Sequence, residues 1–166
     1  MAVNMYIKIA DIPGGSTAGG HEGEIEVLSW NHGFVQPTSP TRSSAGAGTT
    51  EQATHQNCSF TKYLDPSTTA LLKACWSGKQ IADATLTCWR SDGATDNKPV
   101  KYLEILMKNV IISNFSVSGG PGDVPVENVS LDYGSVQYTY VDQKNEDGKS
   151  DSNLPATHNL ETRTIS

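Results

Sequence analysis

His21, Glu22, Glu24 and Glu26 stand close together near the start of the chain, and they set the first question of chemistry. Glu24 and Glu26 are two apart, so on a strand they project from one face. Paired carboxylates serve glycoside hydrolysis when a buried pocket raises the pKa of one of them. Here both neighbours lie on a polar strand face, and the simpler reading is two solvated carboxylates. The four histidines are spread over the chain, with His55 and His158 far from His21, and none shows metal-ligand spacing such as His-x-x-x-His. They read as scattered surface or turn residues. No metal site is expected.

Nucleophile patterns are equally sparse. There is no Gly-x-Ser-x-Gly elbow, and Cys58, Cys75 and Cys88 have no metal or redox spacing and no histidine in a recognisable frame. Each sits among apolar or strand-forming residues, which suits reduced, packed thiols. Gly46-Ala47-Gly48 begins like a dinucleotide loop but lacks the third glycine, the preceding strand and the following helix. Asn57-Cys58-Ser59, Asn114-Phe115-Ser116 and Asn128-Val129-Ser130 match the glycosylation pattern. The first residues show no basic segment followed by an apolar core, so no secretory signal is expected and these matches are read as chance. No enzyme activity and no cofactor are expected.

The elements that would position any site are mostly strands. One helix signal stands out: Asp65 as N-cap, Pro66 at the first helical position, Leu71, Leu72 and Cys75 on one face, and Gly78 as the stop. This predicts one short helix at about 66–77. Met5, Ile7 and Ile9 alternate with polar residues, as do Ile25 and Val27. A strand around 58–64 leads into the helix. After Gly78, residues 81–90 carry Leu86 and Cys88 on one side and Thr85, Thr87 and Trp89 on the other, before a turn at Ser91-Asp92-Gly93. Residues 101–117 are apolar on both sides, which fits a strand buried on both faces or bent by a bulge. A turn at Gly119–Asp123 precedes a strand over 127–142, with a bulge expected at Gly134. Residues 36–54 hold Pro37, Pro40, Gly46, Gly48 and many Ser, Thr and Ala, and predict a long flexible loop. The region from 144 is polar and turn-rich, with a final short strand over 156–164.

Composition sets bounds on all of this. A chain of 166 residues suits a single domain with a real core. Charged residues make up 18% and apolar ones 36%, with Gly, Ser and Thr plentiful, a strand-and-turn composition. A formal net charge of −6 argues against passive attraction to nucleic acid or an anionic membrane. No apolar run is long enough for membrane insertion as a helix. Several strands in a small domain need managed edges, and closure into a barrel or pairing with a neighbour does this.

Phe60-Thr61-Lys62-Tyr63-Leu64-Asp65, then Pro66-Ser67-Thr68 and Cys75-Trp76-Ser77-Gly78-Lys79, resemble the haemolysin-coregulated protein family of the bacterial type VI secretion system. The opening Met1-Ala2-Val3-Asn4-Met5-Tyr6-Ile7-Lys8-Ile9 is similar too, as are His21-Glu22-Gly23-Glu24-Ile25-Glu26-Val27-Leu28-Ser29-Trp30, Val100–Ile105 and Glu127–Leu131. The matches run in order from residue 1 to about Gln143.

The resemblance implies a compact β-barrel of roughly six to eight antiparallel strands flanked by one helix. It also implies six protomers in a ring, with rings stacked into a tube through head-to-tail contacts. The implied partners are sister copies, the spike protein at the tube tip, the contractile sheath and baseplate, and effector proteins carried in the lumen. The implied location is the bacterial cytoplasm during assembly, then the exterior or a target cell after sheath contraction. Some relatives carry a fused enzyme domain, and none is expected after Ser166. By resemblance Asn31 faces the lumen, and the loop carrying Pro37, Thr38, Pro40, Arg42, Gly46 and Gly48 packs on an adjoining subunit or ring. Two alternatives stay open: a phage-tail-like tube protein, and an all-β carbohydrate-binding module using Trp76 or Trp89.

Overall fold

The computed structural model describes residues 3–38, 52–91, 98–143 and 150–166. Among them are β1 (Val3–Ile9), β2 (Ile25–Glu26), β3 (Ser29–Asn31), β4 (Phe34–Val35), β5 (Thr54–His55), β6 (Cys58–Tyr63) and α1 (Thr68–Ser77). Then follow β7 (Ile81–Ser91), β8 (Pro99–Ser118), β9 (Val126–Asp132), β10 (Ser135–Gln143), β11 (Ser150–Asn159) and β12 (Thr164–Ile165). Among the described residues the fold is mainly β with one helix, as expected. The strands exceed the expected number because β4, β5 and β12 are two-residue ladders that alternation does not reveal.

All strand pairings are antiparallel, and β1, β7, β8, β9 and β6 are neighbours in that order. The segment from Ile25 to Asn31 completes the circuit. Its first half pairs with β1 and its second half with β6, and the Leu28 amide bonds the Thr61 carbonyl at 2.8 Å. Hydrogen bonding therefore passes from β1 to β6 through one continuous piece of chain, which is how barrel-like closure removes the open edges. Alternation then fills the interior with Ile7, Ile25, Phe60, Leu86, Ile105, Met107, Val129 and Leu131, all buried. Outside the circuit, β10, β11 and β12 extend the sheet from β8.

The long β8 is bent, and its partner bends with it. Its buried set is Ile105 and Met107, then Val110 and Ile112, so the inward parity changes near Asn109, whose φ is 53°. Tyr133 and Val136 show the same change of parity around Gly134. The expected bulge at Gly134 is absent: Ile111↔Asp132 and Lys108↔Ser135 stay in step across it. The register shift lies between Ile112 and Asn114 instead. A matched kink in both strands keeps the ladder intact while turning both faces.

The helix begins at Thr68, two residues later than expected, with Ser67 at the cap position and no side-chain cap bond from it. The reason is local. Asp65 Oδ1 accepts the Ser67 amide at 2.9 Å and the Lys62 ammonium at 2.8 Å, so Asp65 fixes the turn that leads into the helix. Gly78 closes the helix with φ 63° and ψ 30°. Leu71 and Ala74 are the buried positions, whereas Leu72 and Cys75 are half-buried. The C-terminal region also departs from expectation, because two strands, β11 and β12, replace the single one over 156–164.

Gly14 has a specific task. Its amide bonds the Gly23 carbonyl at 2.7 Å, and a Cβ there would overlap the Glu24 carbonyl and come within 2.7 Å of the Ile25 nitrogen. Backbone atoms cannot rotate away. Gly14→Ala is expected to cost about 1–3 kcal/mol in urea unfolding, the range for overpacking; an unchanged midpoint would show that this loop yields freely.

Candidate functional site

On β6 the buried residues are Cys58, Phe60 and Lys62, so Ser59 and Thr61 face outward. On β9 Val129 and Leu131 are buried, so Asn128 and Ser130 face outward. Register then lines up two rows across four strands. Asn31, Ser59, Ser130 and Asn114 form one row, and Ser29, Thr61, Asn128 and Ser116 form the next. Every member is Ser, Thr or Asn, with neither a charge nor a large apolar group. Short side chains bond across the face: Ser29 Oγ to Thr61 Oγ1 at 2.6 Å, Ser59 Oγ to Ser130 Oγ at 2.8 Å, and Asn57 Nδ2 to Ser113 Oγ at 2.7 Å. A dip of about 80 Å³ between Asn31 and Thr61 is far below the size of a small-molecule pocket. The face offers many weak hydrogen bonds instead of one deep site.

Behind this face sits a buried ion pair. Lys62 and Glu127 are opposite each other on β6 and β9, with their side chains fully buried and their charges in contact. The ammonium also donates to the Tyr63 carbonyl at 3.1 Å. Thr68 Oγ1 donates to Glu127 Oε1 at 2.7 Å, which brings the helix start into the same network.

The carboxylates near the start do not form a catalytic pair. Glu24 is half-buried and held by His21 Nδ1 at 2.8 Å, while Glu26 is exposed. His21 is itself buried, stacked on Tyr6 and met edge-on by Trp89. Trp89 is thus half-buried, leaving Trp76, 77% exposed on α1, as the open ring of the two considered for sugar binding. Burial pushes the Cys58 thiol up to about 12 and raises that of Cys88 as well, so both stay protonated and poor nucleophiles.

Of the loop candidates, Pro37 is half-buried and Thr38 exposed. Pro40, Arg42, Gly46 and Gly48 lie outside the described residues. The ends of the loop are ladder-bound, with Phe34 opposite His55 and Val35 opposite Thr54, so Thr54 belongs to β5 and not to the loop.

The expectation of scattered histidines is overturned at this point. His32, His55 and His158 come together with two tyrosines. His32 Nδ1 meets the Tyr138 hydroxyl, and His32 Nε2 meets the Tyr133 hydroxyl at 2.6 Å. That same hydroxyl meets His55 Nδ1 at 2.6 Å, and His55 Nε2 meets His158 Nδ1 at 2.7 Å. No local spacing signals this, because the links join residues up to 106 apart in sequence.

The family model described as type VI secretion system effector, Hcp, matches residues 6–140. The chain belongs to the Hcp family. Protein hcp1 of Pseudomonas aeruginosa is 41% identical over 150 residues, covering 90% of each chain. Among solved structures, one of a type six secretion system protein has a TM-score of 0.89 at 26% identity, covering 99% of this chain and 100% of that one. Hcp1 from Salmonella typhimurium has a TM-score of 0.79 at 27% identity, with both chains fully covered. The Hcp model ends at residue 140, yet the structural likeness runs on through β11 and β12.

Proposed function

We propose that this Hcp-family chain is a tube protomer. Six copies close into a ring, rings stack inside a contractile sheath, and contraction drives the tube out of the cell with effector proteins in its lumen. The supporting observation is the pair of rows on the outward side of β3, β6, β9 and the end of β8, whose eight members are all Ser, Thr or Asn. As a lumen wall, with Asn31 in its first row, it would present cargo with many shallow, uncharged hydrogen-bonding groups. Contacts of that kind gain strength through number and release easily. The loop after β4, including Pro37 and Thr38, would pack on an adjoining subunit or ring. Spike, sheath and baseplate are the further partners of this reading, and the protomer would pass from the cytoplasm to the exterior.

Sedimentation of the purified chain tests it. The expected species is a ring near six times the 17.8 kDa protomer. Because each copy carries a formal charge of −6, added salt is expected to screen repulsion and lengthen stacks. A lone protomer at every concentration would exclude the ring, and stacks that shorten with salt would exclude the charge argument.

A further inference from the structure

We propose that the line Tyr138–His32–Tyr133–His55–His158 is a one-proton acid sensor: it takes up a single proton with every hydrogen bond kept, and a second proton parts the β4–β5 ladder from β10 and β11. The inference stands on the protomer alone, whatever it assembles into.

The argument is a count of hydrogens. A neutral imidazole has one N–H and one bare nitrogen, and a phenol has one O–H. The line has four links. All four are made when every donor runs the same way. Tyr138 donates to His32 Nδ1, His32 Nε2–H to the Tyr133 oxygen, Tyr133 to His55 Nδ1, and His55 Nε2–H to His158 Nδ1. Reversing all four works equally well. One added proton makes one imidazole a donor at both nitrogens, so the bonds run outward from it on either side and none is lost. Any of the three histidines can hold it. A second proton is different: it sets two N–H groups face to face at the His55–His158 link, or makes Tyr133 accept twice with its own hydrogen aimed at nothing. An opposed pair of donors, or one aimed at nothing, is costly even in this half-buried site.

The surroundings suit such a device. The titratable groups set against the line from other strands are the Cys58 thiol of β6 and the Asp132 carboxylate of β9, and both act on Tyr133. Phe34 of β4 packs on His32, His55 and Tyr138. Burial raises both tyrosines, so each keeps its one hydrogen. Burial and the neighbouring His55 bring His32 down to about 4, against a smaller upward pull from the Gln56 backbone. Burial and His158 lower His55 too. A histidine whose folded pKa is depressed contributes stability above its unfolded value, and that contribution is lost as pH falls. For His32 the window runs from 6.5 to about 4. An open groove of about 300 Å³, bordered by Phe34, His55, Tyr138, His158 and Ile165, admits solvent protons. What the sensor holds is the base of the loop after β4, since His32 precedes β4, His55 lies in β5, and the rest of the line belongs to β10, β11 and the segment before them.

Histidine-ring NMR on the full chain, titrated from neutral pH into acid, tests this. His32, His55 and His158 are expected to share a first transition that adds one proton among the three. In the second transition, amide exchange at Val35 and Thr54, corrected for intrinsic rates, is expected to speed about tenfold per pH unit for each proton taken up on opening. Tyr133→Phe cuts the line in the middle, and His32 is then expected to titrate apart from His55 and His158. Three independent curves in the natural chain, each gaining a full proton in the ordinary histidine range, would overturn the proposal. So would a Tyr133→Phe variant whose three curves are unchanged.

Discussion

Glu127→Ala is expected to lower stability by about 3–5 kcal/mol, because it strands a buried ammonium without its counter-charge. Lys62 and Glu127 are both fully buried, so neither charge is relieved by water. Asp65, partly exposed and 2.8 Å from the ammonium, compensates in part and pulls the cost toward the lower end. The damage spreads to α1, since Thr68 Oγ1 loses the carboxylate it donates to. Removing both charges together should behave differently. Lys62→Met with Glu127→Leu replaces the pair by apolar groups of similar size, a change that is often neutral or stabilising for a buried pair. Urea unfolding of the two variants separates the effects. A single variant within about 1 kcal/mol of the natural chain would mean that water reaches the site when Glu127 is gone.

Phe60→Ala should be comparably severe, at about 3–5 kcal/mol, through the cavity it leaves. Phe60 is 1% exposed and points into the barrel from the middle of β6. Its register partners are Trp30 on β3 and Val129 on β9. Walls tied together by hydrogen-bonded ladders on both sides cannot move inward to fill the void, so the lost transfer energy and the cavity term both count. Unfolding in urea with an unchanged slope is expected, because the surface exposed on unfolding hardly differs. A loss below about 2 kcal/mol would show that the interior repacks around the gap.

The strand-rich class, the single helix, its Gly78 stop and the alternation that buries Ile7, Leu86 and Leu131 were all legible in the chain before any fold was known. So was the family, because its words occur in order. These features are local: a period of two, a residue that tolerates positive φ, a short run of characteristic side chains. Two local readings needed correction. At the helix start a competing local contact won, because Asp65 turns onto the Ser67 amide and onto Lys62 three residues back. At Gly134 a distant partner decided, because the ladder to β8 holds its register and the break became a kink.

Other features had no local trace. The closure through Ile25–Asn31, the polar rows from Asn31 to Ser116, the Lys62–Glu127 pair and the line through His32, His55 and His158 each depend on strands from separate parts of the chain meeting in one register. Alternation tells which residues share a face of their own strand, but it carries no information about which strand lies alongside or by how many residues it is offset. That choice is made by the closed barrel and its common interior. It therefore belongs to the tertiary structure alone.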